Sequence, residues 1–442
     1  MKSPLWRSFS QKCLWAVLAC AFFLAATGLA QVELEKQLQD PDPKFREIAA
    51  RQLGDLGNPA AVPALAAVVQ DQDEKVRMAV VKALIRLGSP ASLPPLGLAV
   101  RDGIPEIRYL AIDGLVNFYI PGYVDTGFGG FFRSVSKRVE GLFSDVDTLV
   151  VDPDVKLDGE VVRTLRQTLT GAPDMNTRSR AARALGIFRA QEALDDLVQA
   201  AFSDNVALIA EVLRALQKIK DPAIGPRITF LLNYPQENIQ EKAAETVGLL
   251  RTKEAIPDLQ QLLQNSDSKV VRATALDALA FMPTAETAPL FVQYLEDKEK
   301  TLRTAAALGL GRLKDPSHRD ALEQAWQKEK DKSVGLALAF ALVAHGKMEA
   351  LDELVSNLSS RVRQGEARPY LIELAREPAV REALYPQLNH KNADIQKNLC
   401  QVFAASGDST SISYLETLLR DRDSEVAVEA GRAIRILRSR GM

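Results

Sequence analysis

Apolar residues recur along this chain with the spacing of a helix, and the helix itself recurs. Phe45-Arg46-Glu47-Ile48-Ala49 leads to Leu53 and Gly57, Val76-Arg77-Met78-Ala79 leads to Ala83, Leu84, Leu87 and Gly88, and Ile107-Arg108-Tyr109-Leu110-Ala111 leads to Gly114 and Leu115. The opening residues of these segments are 31 positions apart. The same frame places later openings at Thr177, Leu208, Ile239, Val271, Leu302, Val334, Ile395 and Val426. Within a segment, apolar positions at offsets 0, 3 or 4, 7, 8 and 11 fall on one face of a helix. Turns such as Gly57-Asn58-Pro59, Gly88-Ser89-Pro90, Asp221-Pro222 and Asp315-Pro316 follow, and shorter helices start after them, for example 62–69, 255–263 and 411–419. Polar turns at 71–73, 265–267 and 421–423 return the chain and supply N-caps. The repeated element is a helical hairpin. One hairpin cannot bury its apolar face alone, so the units must stack into an array.

The frame breaks twice. From Val334 to Ile395 it spans 61 residues, room for one degenerate hairpin around 350–390. From Ile107 to Thr177 it spans 70, against 62 for two steps, so something is inserted or remodelled between 119 and 173. There Gly127, Gly129 and Gly130 gather with Phe128, Phe131 and Phe132 in a loop, and 132–143 reads as an amphipathic helix with Arg133 and Lys137 on its polar side. Two readings stand: the element folds onto the array, or it forms an aromatic-tipped arm that docks on a partner or a membrane surface. Residues 155–169 resume a helix that reads as half of a hairpin.

The motif of an aspartate turn, V-R-x-x-A and then A-L-x-x-L-G resembles the HEAT-repeat family, in particular the short bacterial HEAT-like repeats also found in phycobilisome lyases. The resemblance covers roughly 32–118 and 174–442 and implies an all-α, right-handed α-solenoid of about 12 hairpins. It also implies that the arginine after the opening residue (Arg46, Arg77, Arg108, Arg178, Arg272, Arg303) braces neighbouring turns, and that second helices line a concave groove. On that footing, offset 6 points near the groove floor and offset 10 beside it. A protein or peptide partner is expected on Arg183, Arg214, Lys218, Leu249, Phe281, Leu308 and Phe340, a ridge that is basic first and apolar among acids later. A ligand with an acidic part and a hydrophobic part would suit it. The other reading turns these positions partly into the core and leaves the arginines as a solvated face. For the alternative, membrane-peripheral role, the contacts would be Phe128, Phe131, Phe132, Arg133 and Lys137.

Composition narrows the picture. Apolar residues make up 47% of 442 and aromatics only 6%, which favours close helix packing over strands. A formal net charge of -2 gives no global case for nucleic acid. Lys2, Arg7 and Lys12 precede an uncharged run from Cys13 to Ala30 with Gly28 and Ala30 at its end, the layout of an export signal. Residues 1–30 are therefore expected to be cleaved, leaving a periplasmic or secreted protein, or else to anchor a periplasmic solenoid in the inner membrane. Cleavage would leave Cys400 alone, without a disulfide partner. It is read as a small buried hydrophobe.

No enzyme motif emerges. HExxH, CxxC, GxSxG and GxxxxGK[ST] are all missing, and Gly309-Leu310-Gly311 lies inside a repeat helix. Metal-dependent members of the resembled family use His-Glu pairs, whereas the histidines here read His318-Arg319, His345-Gly346 and His390-Lys391. No metal or cofactor is expected. The related lyases act inside the cell, which the export layout opposes. The expectation is a non-enzymatic binding scaffold of the bacterial envelope, its oligomeric state left open.

Overall fold

The computed structural model describes residues 29–124, 149–152 and 154–440, which form helices and turns without a strand among them. The expected signal up to residue 28 and the contacts Phe128, Phe131, Phe132, Arg133 and Lys137 lie outside the described residues. The chain divides into two compact units, Met1–Ile224 and Gly225–Met442.

Among the described residues, the first unit stacks five hairpins, each with a first helix no longer than its second. Their second helices are Pro43–Leu56, Glu74–Leu87, Pro105–Tyr119, Met175–Ile187 and Val206–Ile219. The second unit stacks seven, with second helices Glu237–Leu249, Lys269–Ala280, Lys300–Leu313, Lys332–Ala344, Gln364–Leu374, Ala393–Ser406 and Ser424–Ser439. Each unit is thus an α-solenoid of the kind the repeat predicts, and Gln364–Leu374 is the degenerate member. The polar turns do supply caps. Asp42, Asp73, Asp174, Asn205, Ser268, Asp331, Asn392 and Asp423 accept from amides of the first turn that have no intrahelical partner.

Of the six arginines expected to brace neighbouring turns, Arg46, Arg77, Arg108 and Arg303 do so, whereas Arg178 and Arg272 donate, among the described residues, only to a carbonyl of their own turn, those of Ala172 and Ser266. Arg46 donates to both carboxylate oxygens of Asp71 at 2.8 Å and to the carbonyls of Asp40 and Pro41. Arg77 joins Asp102 to the carbonyls of Asp71 and Gln72 in the same way, and Arg303 joins Glu329 to those of Asp297 and Lys298. Each of these guanidiniums thus ties its own turn to the next one, with bidentate geometry that only arginine offers.

Glycine sets the closeness of successive second helices. A Cβ on Gly54 would stand 2.8 Å from Ala83 Cα, on Gly186 2.5 Å from Ala215 Cα, on Gly248 2.7 Å from Ala278 Cα and on Gly311 2.7 Å from Ala341 Cα. The pair Gly309 and Gly311 is therefore a packing device, since Gly309 likewise lies against the Phe291 ring.

The 70-residue interval needs a correction. It is one repeat step with a long excursion, not two steps with a small insertion. Arg108, from Pro105–Tyr119, donates to Asp174 at 2.6 Å and Thr177 at 3.1 Å, and to the carbonyls of Asp102 and Gly103. That is the ordinary turn-to-turn rung, formed across 66 residues in place of 25. Gly159–Gly171 is the first helix of the next hairpin, the half expected at 155–169, so the array resumes before 174. The excursion leaves and returns at one place, because the Tyr119 hydroxyl accepts from the Asp158 amide at 2.9 Å. The frame counts residues and cannot distinguish a repeat from a loop of similar length.

Candidate functional site

In the second unit, the C-terminal ends of five successive second helices frame a cavity of about 580 Å³. Their chain reversals use left-handed backbone at Arg251 (φ 53), Lys314 (φ 55) and Gly346 (φ 84), and all three residues line the cavity. Phe281, Pro283, Val343, Met348, Leu374 and Val380 supply most of its apolar wall.

Arg312 forms one side. Its Nε and Nη2 donate to Glu373 at 2.8 and 2.9 Å, and Nη1 donates to the Ala280 carbonyl at 3.2 Å. The guanidinium carbon stands 4.6 Å from the centre of the Phe281 ring and 5.7 Å from that of Phe340, which itself touches Tyr370 at 5.3 Å. Ring faces and a carboxylate together hold a guanidinium strongly. Beside this group, burial raises the Asp277 carboxyl above the usual carboxylate range against the pull of Arg312, and Glu245 adds to the rise. Burial likewise raises the Tyr370 hydroxyl.

Of the seven residues expected to bind a partner, Phe281 and Phe340 line this cavity. Phe281 is half-buried, while Phe340 is 2% exposed and serves as wall and core at once. Leu308 is buried and Leu249 is 40% exposed, and neither lines it.

The remaining three lie in the first unit. Arg183 donates to both oxygens of Glu211, at 3.0 and 2.8 Å, and Arg214 to one of them at 2.7 Å. Burial would raise the Glu211 carboxyl, but the bond from Arg183 and the charges of both arginines hold it below the usual range. Lys218 is buried. The basic ridge expected here carries its own counter-charge at this point. Close by, Arg180 pairs with Asp113 at 2.6 Å and lies 4.7 Å from the centre of the Tyr109 ring.

Sequence reasoning missed Glu373, Glu377, Arg251 and Lys314. The last two carry a readable signal. Arg189, Lys220, Arg251 and Lys314 all follow second helices in left-handed backbone, at intervals of one or two repeats. A second cavity, of about 570 Å³, is polar, but Arg368 donates to Gln401 at 2.5 Å and Lys397 to Glu425 at 2.7 Å, so its groups satisfy one another. Cys400 is fully buried, and burial pushes its thiol up to about 12, far from a reactive thiolate. Among the described residues no three metal-binding side chains converge, and no helix is long and apolar enough to cross a membrane.

Comparison with known proteins agrees with the repeat. The chain is similar in structure to an engineered protein (20% identity, 92% of this chain and 98% of that one, TM-score 0.38). It is also similar to the complex of CpcE and CpcF of phycocyanin lyase from a Nostoc species (16%, 60% and 94%, TM-score 0.35). Importin beta is a third (13%, 93% and 68%, TM-score 0.48). No curated protein is close enough in sequence to match. The family model for HEAT repeats matches residues 32–116, 162–226, 200–280, 225–307, 259–343 and 288–372, and so the chain belongs to the HEAT-repeat family.

Proposed function

We propose that this chain is a non-enzymatic scaffold that holds a protein or peptide partner on its second helices, with the cavity beside Arg312 as its main contact. The observation that carries this reading is the cavity itself. It has a concave apolar wall, a few oriented polar groups and a volume in the range of ligand sites. A HEAT array suits such work because each repeat adds surface without altering its neighbours. Action in the bacterial envelope is supported by the basic, then uncharged, then small-residue layout of residues 1–30.

The test is affinity capture from envelope extract with the full chain and with Ala379→Trp. Ala379 is exposed and lines the cavity, so a tryptophan there fills it without entering the core. A discrete partner captured by the wild type and lost from a variant with unchanged thermal unfolding supports the scaffold. The same partners on both proteins, or lipid alone, would overturn it.

A further inference from the structure

The lining of the cavity shows what chemistry it suits. Three cations border it, Arg251, Arg312 and Lys314, with two carboxylates, Glu373 and Glu377. Arg312 is committed to Glu373 and the Ala280 carbonyl between two rings, so it forms wall. Lys314 meets Glu377 at 2.7 Å with side chains 48% and 57% exposed. Such an exposed pair adds little to stability and exchanges readily for another partner. Arg251 is exposed and has no side-chain partner among the described residues. Arg251 and Lys314 adopt left-handed backbone, which is unfavourable for a residue with a Cβ. Gly57 and Gly88 make the corresponding reversals with φ of 67 and 55, so the turn itself calls only for glycine. Cations at helix C-termini recover part of that cost, and Arg189 and Lys220 show the same choice. At 251 and 314 the side chains also border an apolar cavity with one positive charge in excess.

From this charge balance, and resting on the scaffold reading above, we propose that the cavity takes a partner segment in which a bulky apolar side chain sits beside a carboxylate. The apolar group enters between Phe281, Met348 and Val380. The carboxylate meets Arg251 on the rim and can draw Lys314 away from Glu377. A cationic segment would meet the unpaired Arg251, with Glu373 taken by Arg312 and Glu377 open to it only if Lys314 is released as a further free cation.

The experiment uses the full chain and fluorescein-labelled, end-capped nonapeptides that carry one Leu-Phe pair flanked by Asp or by Lys. Fluorescence anisotropy should show Asp peptides binding about tenfold tighter than Lys peptides, the scale of a close charge pair at an interface. Arg251→Glu should reverse that order, and Ala379→Trp should abolish binding of both series. Equal binding of the two series, an unchanged order in Arg251→Glu, or no peptide binding at all would overturn the inference. Each of these can occur while the captured partner still depends on Ala379, so failure here is separable from failure of the scaffold reading.

Discussion

In the first unit, Arg183 and Arg214 close on Glu211, one repeat away from the first and on the same helix as the second. In the second unit, Arg312 closes on Glu373, which comes from the second helix two repeats further on. The short reach leaves a ridge whose two arginines share one carboxylate of their own. The long reach carries the guanidinium past the end of Lys332–Ala344, where Ala344 and Gly346 are small, and leaves the cavity beside it. The same repeat thus presents a closed ion-pair cluster or an open cavity according to where a single carboxylate is placed.

Three perturbations sharpen the contrast, from the largest effect down. Gly186→Val and Gly311→Val each drive a side chain into the backbone of the next helix. Each should lower stability by about 3 kcal/mol, the upper range for overpacking. Because repeats couple mainly to neighbours, hydrogen exchange should rise in the altered unit and stay low in the other. Uniform loss of protection would mean that the two units unfold as one.

Replacing the carboxylates tests the short and long reaches directly. Glu211→Gln leaves two arginines facing each other around a side chain only 8% exposed, and should reduce stability by about 2 kcal/mol in urea titration. Glu373, at 31%, is more open to water, so Glu373→Gln should cost under about 1 kcal/mol. The reverse order would put the structural weight on the cavity and take away its claim to be a binding surface.

The smallest effect is in acid. Burial would raise the Asp174 carboxyl, yet bonds from Thr177, Arg108 and Tyr109 hold it well below the usual range. Its contribution is therefore full above the unfolded value near 4 and fades as pH falls below it. Asp277 is shifted upward, so its ionisation weakens the fold as pH rises from that same value through the raised one. Asp174→Asn should lower stability at pH 7 and flatten the acid side of the curve. Asp277→Asn should raise stability at pH 7 by less than about 1 kcal/mol. Thermal unfolding between pH 3 and 7 would check both signs.

The hairpins, their arginine rungs and the packing role of Gly311 were legible because each depends on local periodicity. The excursion was misjudged, since Asp174 becomes recognisable as the acceptor of Arg108 only when the two are seen together. At the site, offsets picked out Phe281 and Phe340 but not the arginine between them as their link. Phe281 stands at offset 10 of one repeat and Phe340 at offset 6 two repeats later, and pairing them needs the stagger of the helices. Offset 6 proved a boundary position, burying Leu308 and Phe340 while leaving Arg183 and Arg214 half in water. Arg251 and Lys314 lie just past their helices, where helical periodicity says nothing.

The rung from Arg108 to Asp174, with the Tyr119 hydroxyl on the Asp158 amide, turns this edge of the array into a graft point. Closing a chain segment twice as long costs only about 0.6 kcal/mol more, and the described flanks of this interval are already held together. A foreign reporter domain inserted between the described flanks at 124 and 149 would therefore join the array where its two sides are already tied, giving the solenoid a built-in port for cargo of an engineer's choosing.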